Sequence, residues 1–296
     1  MTNILDVPPR LLQLFVDLCE TSSISRSADN LRLSQPAASR GLALLRDALD
    51  EPLLVRSGRG LAVTPSALRL LPQVRAILRQ IERLPIASGA AIADMEGVVR
   101  IATTDYGAVA AIGPALQTIE QAAPRLALEV VPLDDQVFQK LQDGRVDVAL
   151  YADDPTPAGI CHADLFREEH VYAVARNHPL ARRRRLTKEM IETFPRLLVT
   201  IIGDRQGYVD DGSLGGAQPG LWIPYFTAAP LMLTQSEMVM ALPRRAAEAL
   251  RDTAGLAILS AKPPAKPFTY RLLWAEEFAD DPVIAWLRCK LIEALA

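Results

Sequence analysis

The sequence predicts a chain of two domains: a small helical domain closed by a β-hairpin over residues 1–66, and an α/β domain over 97–296, joined by a helical linker over 67–96. Three observations predict it. Apolar residues recur at helical spacing as far as Leu49. Two short apolar runs then flank a Gly-containing loop. From Val98 onward, strand-like and helix-like stretches alternate, the order of a parallel sheet with helices on its faces. The length of 296 residues suits two domains, and half of the residues are hydrophobic, enough for a real core in each.

Leu11, Leu14, Phe15 and Leu18 make a first amphipathic helix that ends near Glu20, where Thr21-Ser22-Ser23 breaks it. A short helix follows, from about Ser25 to Leu31, and then the turn Arg32-Leu33-Ser34. Ser34 is an N-cap for the next helix, Gln35 to about Leu49, and Pro36 sits in its first turn, where a missing N–H does no harm. Ala38, Leu42, Leu45 and Leu49 form the inward stripe of that helix. Pro36, Arg40, Ala43 and Asp47 lie opposite, with Ser39 and Arg46 on the flank. This outer face is small and hydrogen-bonding, with two guanidinium groups, and is able to lie in a major groove. Leu53–Arg56 and Leu61–Val63 around Ser57-Gly58-Arg59-Gly60 read as a hairpin. Appended to a helix-turn-helix, such a hairpin is a wing, and Arg56 and Arg59 can reach a phosphate or a minor groove. The candidate DNA contacts are therefore Ser34, Gln35, Pro36, Ser39, Arg40, Arg56 and Arg59.

Thr64-Pro65 starts a further helix by the same logic. Ala67, Leu70, Val74, Ile77, Ile81 and Leu84 alternate at spacings of three and four, a short heptad seam. Leu70, Val74, Ile77 and Ile81 are the candidate dimerisation face, and Arg69 and Arg75 read as surface charges. Pro72 kinks the axis at a cost of about 3 kcal/mol. Pro85 ends the helix or nearly so, and residues 86–96 form a hinge.

Val98–Thr104, Leu126–Val131 and Val146–Tyr151 read as strands, with helices at Ala108–Ala122 and Gln136–Asp143 between them. Phe268, Tyr270, Leu272 and Trp274 alternate as a strand, and Asp281 caps a last helix to Leu295. Ligands of parallel α/β sheets bind beyond the carboxyl ends of strands. Thr103, Thr104 and Asp105 end the first such strand before a helix N-terminus that favours anions, and Thr200 ends another, Leu197–Ile202.

The net charge of −3 does not by itself point to nucleic acid. The charge is placed, however: Arg56 to Arg83 holds six Arg and one Glu. Arg182-Arg183-Arg184-Arg185 is read as a solvated turn rather than a nucleic-acid patch. Asp6, Arg10, Asp17 and Glu20 leave no uncharged leader core in residues 1–20, and no apolar run is long enough to span a membrane. The three cysteines lack metal-ligand spacing; Cys19 and Cys289 read as small core residues on helices, in a reducing cytoplasm. His162, His170 and His178 do not cluster, so neither a metal nor a cofactor is expected.

Leu14 to Ala67 resembles the LysR-type transcriptional regulators. The resemblance is carried by Ser22-Ser23-Ile24-Ser25, Ser34-Gln35-Pro36-Ala37-Ala38-Ser39-Arg40, Pro52-Leu53, Val55-Arg56, Gly58, Gly60 and Thr64-Pro65. The family's effector-domain markers follow in Leu141-x-x-Gly144-x-Val146-Asp147-Val148-Ala149-Leu150 and in Val174-x-Arg176-x-His178-Pro179-Leu180-Ala181. Trp222–Pro230 and Met240–Arg245 look like the branch that includes regulators of nodulation and of aromatic catabolism. Two positions depart from the pattern. Gly41 stands where the family usually has a larger polar residue, removing one possible DNA contact and about 1 kcal/mol of helix propensity relative to Ala. Ala67 replaces a frequent Gly.

The resemblance implies a C-terminal domain like the periplasmic binding proteins, with one subdomain over about 97–162 and 268–296 and the other over about 163–267. It implies an effector in the cleft between them, a homodimer or homotetramer on double-stranded DNA, and RNA polymerase as a further partner. Arg245 falls where related regulators of aromatic acids carry a carboxylate-binding Arg; a surface Arg beside Arg244 is the other reading. Phe226 is either pocket wall or core. An aromatic or other organic acid is the effector class that this branch suggests. The competing functions are an α/β enzyme or a solute-binding protein with an accessory N-terminal domain. The chain has no Gly-x-Ser-x-Gly elbow, no phosphate-binding Gly loop with Lys and no His-Glu-x-x-His, and a solute-binding protein would need an export signal.

Overall fold

The computed structural model describes residues 3–58, 60–87, 92–152, 155–200, 219–261 and 266–295. The chain divides into two compact units that part near Ala90.

The first unit holds α1 (Pro9–Thr21), α2 (Ile24–Asn30), α3 (Gln35–Leu49), the hairpin β1 (Leu54–Ser57) with β2 (Gly60–Val63), and α4 (Pro65–Ala87). Ser22 turns left-handed at φ 50° and stops α1, and the Ser23 hydroxyl then caps α2. Thr21 and Ser27 share a side-chain hydrogen bond of 2.9 Å, and Asn30 donates to Asp17 at 2.9 Å, so α2 is tied twice to the C-terminal end of α1. Leu14, Phe15, Leu18, Ala38, Leu42 and Leu45 make one core with Leu53, Leu54, Ala67 and Val74. Each large member contributes roughly 1.5–3 kcal/mol by burial.

Gly41 corrects an expectation. It lies on the buried side of α3, not on the outer face. A Cβ there would stand 2.7 Å from a Leu14 methyl carbon and 2.8 Å from one of Leu11. The glycine is the point where α3 rests on α1.

Arg46 corrects another. Its guanidinium does not join the outer face of α3: Nε donates to the Pro52 carbonyl and Nη2 to that of Leu54, both at 2.6 Å. These two charge-assisted bonds fix the base of the hairpin against α3. Arg46→Ala is expected to lower the stability of this unit by about 2 kcal/mol. Urea unfolding followed by far-ultraviolet circular dichroism checks it, and a midpoint equal to that of the wild type would refute the clamp.

The helix α4 runs through Pro72 and past Pro85. Two of its expected roles change. Val74 is buried in the unit's own core instead of lying on a dimer seam, whereas Ile77, Ile81 and Leu84 are exposed. Arg75 is not a surface charge: it is buried and pairs with Glu20 at 2.5 Å, pinning α4 to the end of α1. Cys19 packs at the edge of the same core, where burial pushes its thiol pKa up to about 11.

The second unit contains two sheets. Its elements are β3 (Gly97–Thr103), α5 (Asp105–Gly107), α6 (Gly113–Ala122), β4 (Leu126–Pro132), α7 (Val137–Gln142), β5 (Val148–Tyr151), β6 (Ile160–Glu168), β7 (His170–Ala175), α8 (Lys188–Glu192), β8 (Arg196–Val199), β9 (Pro219–Ile223), α9 (Ala229–Leu233), β10 (Val239–Pro243), α10 (Arg244–Leu250), β11 (Leu256–Ile258), β12 (Phe268–Ala275) and α11 (Pro282–Leu295). A π-helical stretch, Ala108–Ile112, joins α5 to α6.

One sheet has the order β4-β3-β5-β12-β6, the other β11-β7-β10-β8-β9. β3 lies parallel to β4 and β5, as the alternating elements require, and β12 runs antiparallel to β5 and β6. The crossing between the sheets comes later than expected. Residues 163–168 belong to β6 of the first sheet, because β12 pairs with β6 as far as Phe268↔Glu168. Only Glu169 separates β6 from β7 of the second sheet. This long antiparallel pair holds the strand in the first sheet up to Glu168. On α11, Asp281 accepts from the Val283 and Ile284 N–H groups, and Cys289 is exposed instead of buried.

Candidate nucleic-acid interface and effector site

The outer face of α3 follows from its two ends. The Ser34 hydroxyl accepts from the Ala37 N–H at 3.3 Å, which starts the helix cleanly on Gln35 and Pro36. The inward pull of Ala38, Gly41, Leu42 and Leu45 then leaves Gln35, Pro36, Ser39, Arg40 and Ala43 exposed. Among the described residues, no hydrogen bond or ion pair engages the side chain of Arg40 or of Arg56. Arg56 stands exposed on β1, opposite Leu61 of β2. Ser57 pairs with Gly60; the expectation for Arg59 lies outside the described residues. The site is thus an exposed helix start, one guanidinium a turn further on that is unpaired among the described residues, and a second on the wing. Such a set reaches phosphates and base edges together.

In the second unit, the end of β3 gathers most of the expected effector residues. Thr104 caps α5, its hydroxyl accepting from the Gly107 N–H at 3.2 Å. Thr103 is buried, and its hydroxyl shares a 3.2 Å hydrogen bond with the Tyr270 hydroxyl of β12. Gly107 makes that contact possible: a Cβ there would overlap the Tyr270 hydroxyl and the Thr103 Oγ1.

Asp105 is not open to a ligand, as its place at a helix start had implied. Its carboxylate accepts from the Phe226 N–H at 3.0 Å, the Thr227 N–H at 2.7 Å and the Thr227 hydroxyl at 2.6 Å. It binds the loop after β9 to the end of β3, and so fastens one sheet to the other. Phe226 is buried, with its ring 5.9 Å from that of Tyr106. The Thr200 N–H donates to the Ile223 carbonyl at 3.0 Å.

Arg245, at the start of α10, is half-exposed and lies over the Phe166 ring, 4.3 Å from its centroid. Its Nε is 3.8 Å from the buried carboxylate of Glu168, which also accepts from the Tyr106 hydroxyl. Burial, and then the adjacent carboxylate, hold the Tyr106 hydroxyl far above its ordinary pKa, so it is a fixed donor. Burial likewise pushes the Tyr270 pKa up to about 12. The structure therefore joins Thr103, Thr104, Asp105, Phe226 and Arg245 through four residues that the sequence reading passed over: Tyr106, Phe166, Glu168 and Tyr270. One signal was present. An acidic pair, Glu168-Glu169, interrupts two apolar strands and is answered by Arg244-Arg245. Among the described residues, no group of His, Cys, Asp and Glu has the geometry to hold a metal ion, and no helix is long and apolar enough to cross a membrane.

Comparison with known proteins matches residues 9–68 to the model of the bacterial regulatory helix-turn-helix proteins of the lysR family, and residues 93–296 to that of the LysR substrate binding domain. The chain is 28% identical to the HTH-type transcriptional regulator SyrM of Rhizobium meliloti, over 99% of this chain and 91% of the relative. It is 26% identical to Nodulation protein D 1 of Mesorhizobium japonicum, over 96% of this chain and 91% of that one. The crystal structure of the probable transcriptional regulator PA0477 from Pseudomonas aeruginosa superposes with a TM-score of 0.70 at 28% identity, covering 96% of each chain.

Proposed function

The chain belongs to the LysR family of transcription regulators, and from that premise we propose which residues carry each part of its work. Members of this family are DNA-binding regulators, not enzymes. They bind a small-molecule effector in the C-terminal domain and assemble as oligomers, and this chain is one of them.

Gln35, Ser39 and Arg40 enter the major groove, Ser34 and Pro36 set the helix start against a phosphate, and Arg56 and Arg59 of the wing hold the flanking backbone. The observation that carries this reading is the outer face of α3: its hydrogen-bonding side chains are exposed, and its Arg40 is unpaired among the described residues. The protein is expected to bind DNA just upstream of its own gene, with an affinity that falls steeply as salt rises. Arg40→Ala is expected to weaken binding by about tenfold to a hundredfold and to relax specificity at one base pair, whereas Arg56→Ala weakens all sequences alike and flattens the salt slope. Fluorescence anisotropy across a salt series reads both. Equal binding by wild type and the Arg40→Ala/Arg56→Ala protein would sink the assignment.

The effector is an organic acid, aromatic ones included, whose carboxylate pairs with Arg245 beside Thr103, Thr104 and Phe226. The dimer forms along Ile77, Ile81 and Leu84 of α4, with Leu70 at the margin and Val74 kept in its own core. The regulator works in the cytoplasm, where its DNA and RNA polymerase are.

A further inference from the structure

Two consecutive acids end β6 and leave it, and two consecutive arginines open α10. Glu169 and Arg244 close tightly, side chain to side chain at 2.7 Å, with the Arg244 N–H also on the Glu169 carbonyl at 2.8 Å. Glu168 and Arg245 do not close: the gap is 3.8 Å, and it is spanned through Nε. Glu168 has other attachments. The Tyr106 hydroxyl donates to its Oε2, and the Glu169 N–H donates to its Oε1 at 2.9 Å. Its side chain is 3% exposed, whereas that of Arg245 is 47% exposed. The face of the Arg245 guanidinium rests on Phe166, and its two Nη groups meet no carboxylate among the described residues.

We infer that Glu168 is a specificity-determining residue of the effector site: a resident carboxylate that shares Arg245 with the effector's acid group and sets how tightly an acid is held. The inference rests on the reading of Arg245 given above. An acid on the Nη edge lies across the guanidinium from Glu168. At that separation in a partly buried site, like-charge repulsion weakens a monoacid by roughly tenfold, and a neutral ligand feels none of it. Glu168 is held in place by Tyr106 and the chain itself, so it does not move aside when a ligand arrives.

The test is calorimetry on the full chain with benzoate and with benzamide, its neutral counterpart of the same shape. Glu168→Gln keeps an acceptor for Tyr106 and removes the charge. Benzoate is expected to bind about tenfold tighter to it, with benzamide unchanged, and the gain is expected to vanish in Glu168→Gln/Arg245→Ala. Tyr106→Phe removes the hydroxyl that shares the Glu168 charge, so it is expected to loosen benzoate by about threefold; this opposite sign tests the inference even if Glu168→Gln folds poorly. A Glu168→Gln protein that shifts both ligands equally, or leaves benzoate unchanged, overturns the inference. If Arg245→Ala abolishes benzoate binding while Glu168→Gln has no effect, the reading of Arg245 stands and the role of Glu168 alone falls. If benzoate binds wild type and Arg245→Ala equally, or binds neither, both fall.

Discussion

Gly107→Ala is expected to lower the stability of the effector domain by about 3 kcal/mol, more than any other single methyl added near the site. The new Cβ would occupy the space of the Tyr270 hydroxyl and the Thr103 Oγ1. Neither group can leave cheaply. The Tyr270 ring is buried, stacked on Phe166 at 5.3 Å and edge-on to Tyr106 at 5.6 Å. Displacing the ring breaks its bond to Thr103 and strains its longer one to the Leu150 carbonyl, all inside the buried core. The gain in helix propensity, about 1 kcal/mol, does not offset this. Thermal unfolding of the full chain reads the loss. A Tm equal to that of the wild type would mean that Tyr270 has room to swing aside. The double substitution Gly107→Ala/Tyr270→Phe is expected to recover part of the lost stability.

Gly41→Gln separates two accounts of one residue. On a DNA-facing surface, glutamine would be tolerated, would favour the helix and would change which bases are read. On the inner surface, where the structure places residue 41, it must enter between α3 and α1 against Leu11 and Leu14. The expected result is a loss of about 3 kcal/mol in the N-terminal unit, with DNA binding falling in parallel for every sequence. Gly41→Ala is expected to be close to neutral, because about 1 kcal/mol of helix propensity opposes one methyl's worth of crowding. Chemical denaturation beside anisotropy on two operators that differ at one base pair distinguishes the accounts. A stable Gly41→Gln protein with altered specificity would restore the DNA-facing one.

In the first unit α3 and α4 were the most legible helices, because each is marked twice, by an apolar period and by a cap. Ser34 with Pro36 places the start of α3 at Gln35, and Thr64 with Pro65 places that of α4. What the sequence could not tell is which polar residues the fold itself consumes. Arg40 and Arg46 both read in the sequence as guanidinium groups of the outer surface of α3. Only the path of the chain after Pro52 brings two carbonyls to Arg46 and none to Arg40. Asp105 reads as a helix-start acid and is one, but Phe226 and Thr227, which occupy it, lie more than a hundred residues along the chain. The cluster at the end of β3, the candidate effector site, was legible as a group from one rule of sheet topology. It was illegible at Tyr106, Glu168 and Tyr270, whose roles exist only once β6 and β12 are paired. The boundary between the subdomains was missed for the same reason: a strand is assigned to a sheet by its partner, not by its composition.

The placement of β12 between β5 and β6 also bears on how the protein is made. β6 is complete at Glu168, yet its neighbour in the sheet begins at Phe268. A growing chain therefore releases β6 and the whole second sheet from the ribosome before the strand that joins β6 to the first sheet exists. Contacts this far apart in sequence form slowly, and an unpaired apolar strand edge invites association with other chains in the interval. The first unit, built from neighbouring helices, finishes early, so nascent chains carry a folded DNA reader on an unfinished sensor. A synthesis cut short before Phe268 leaves β6 without its partner strand and an apolar sheet edge uncovered.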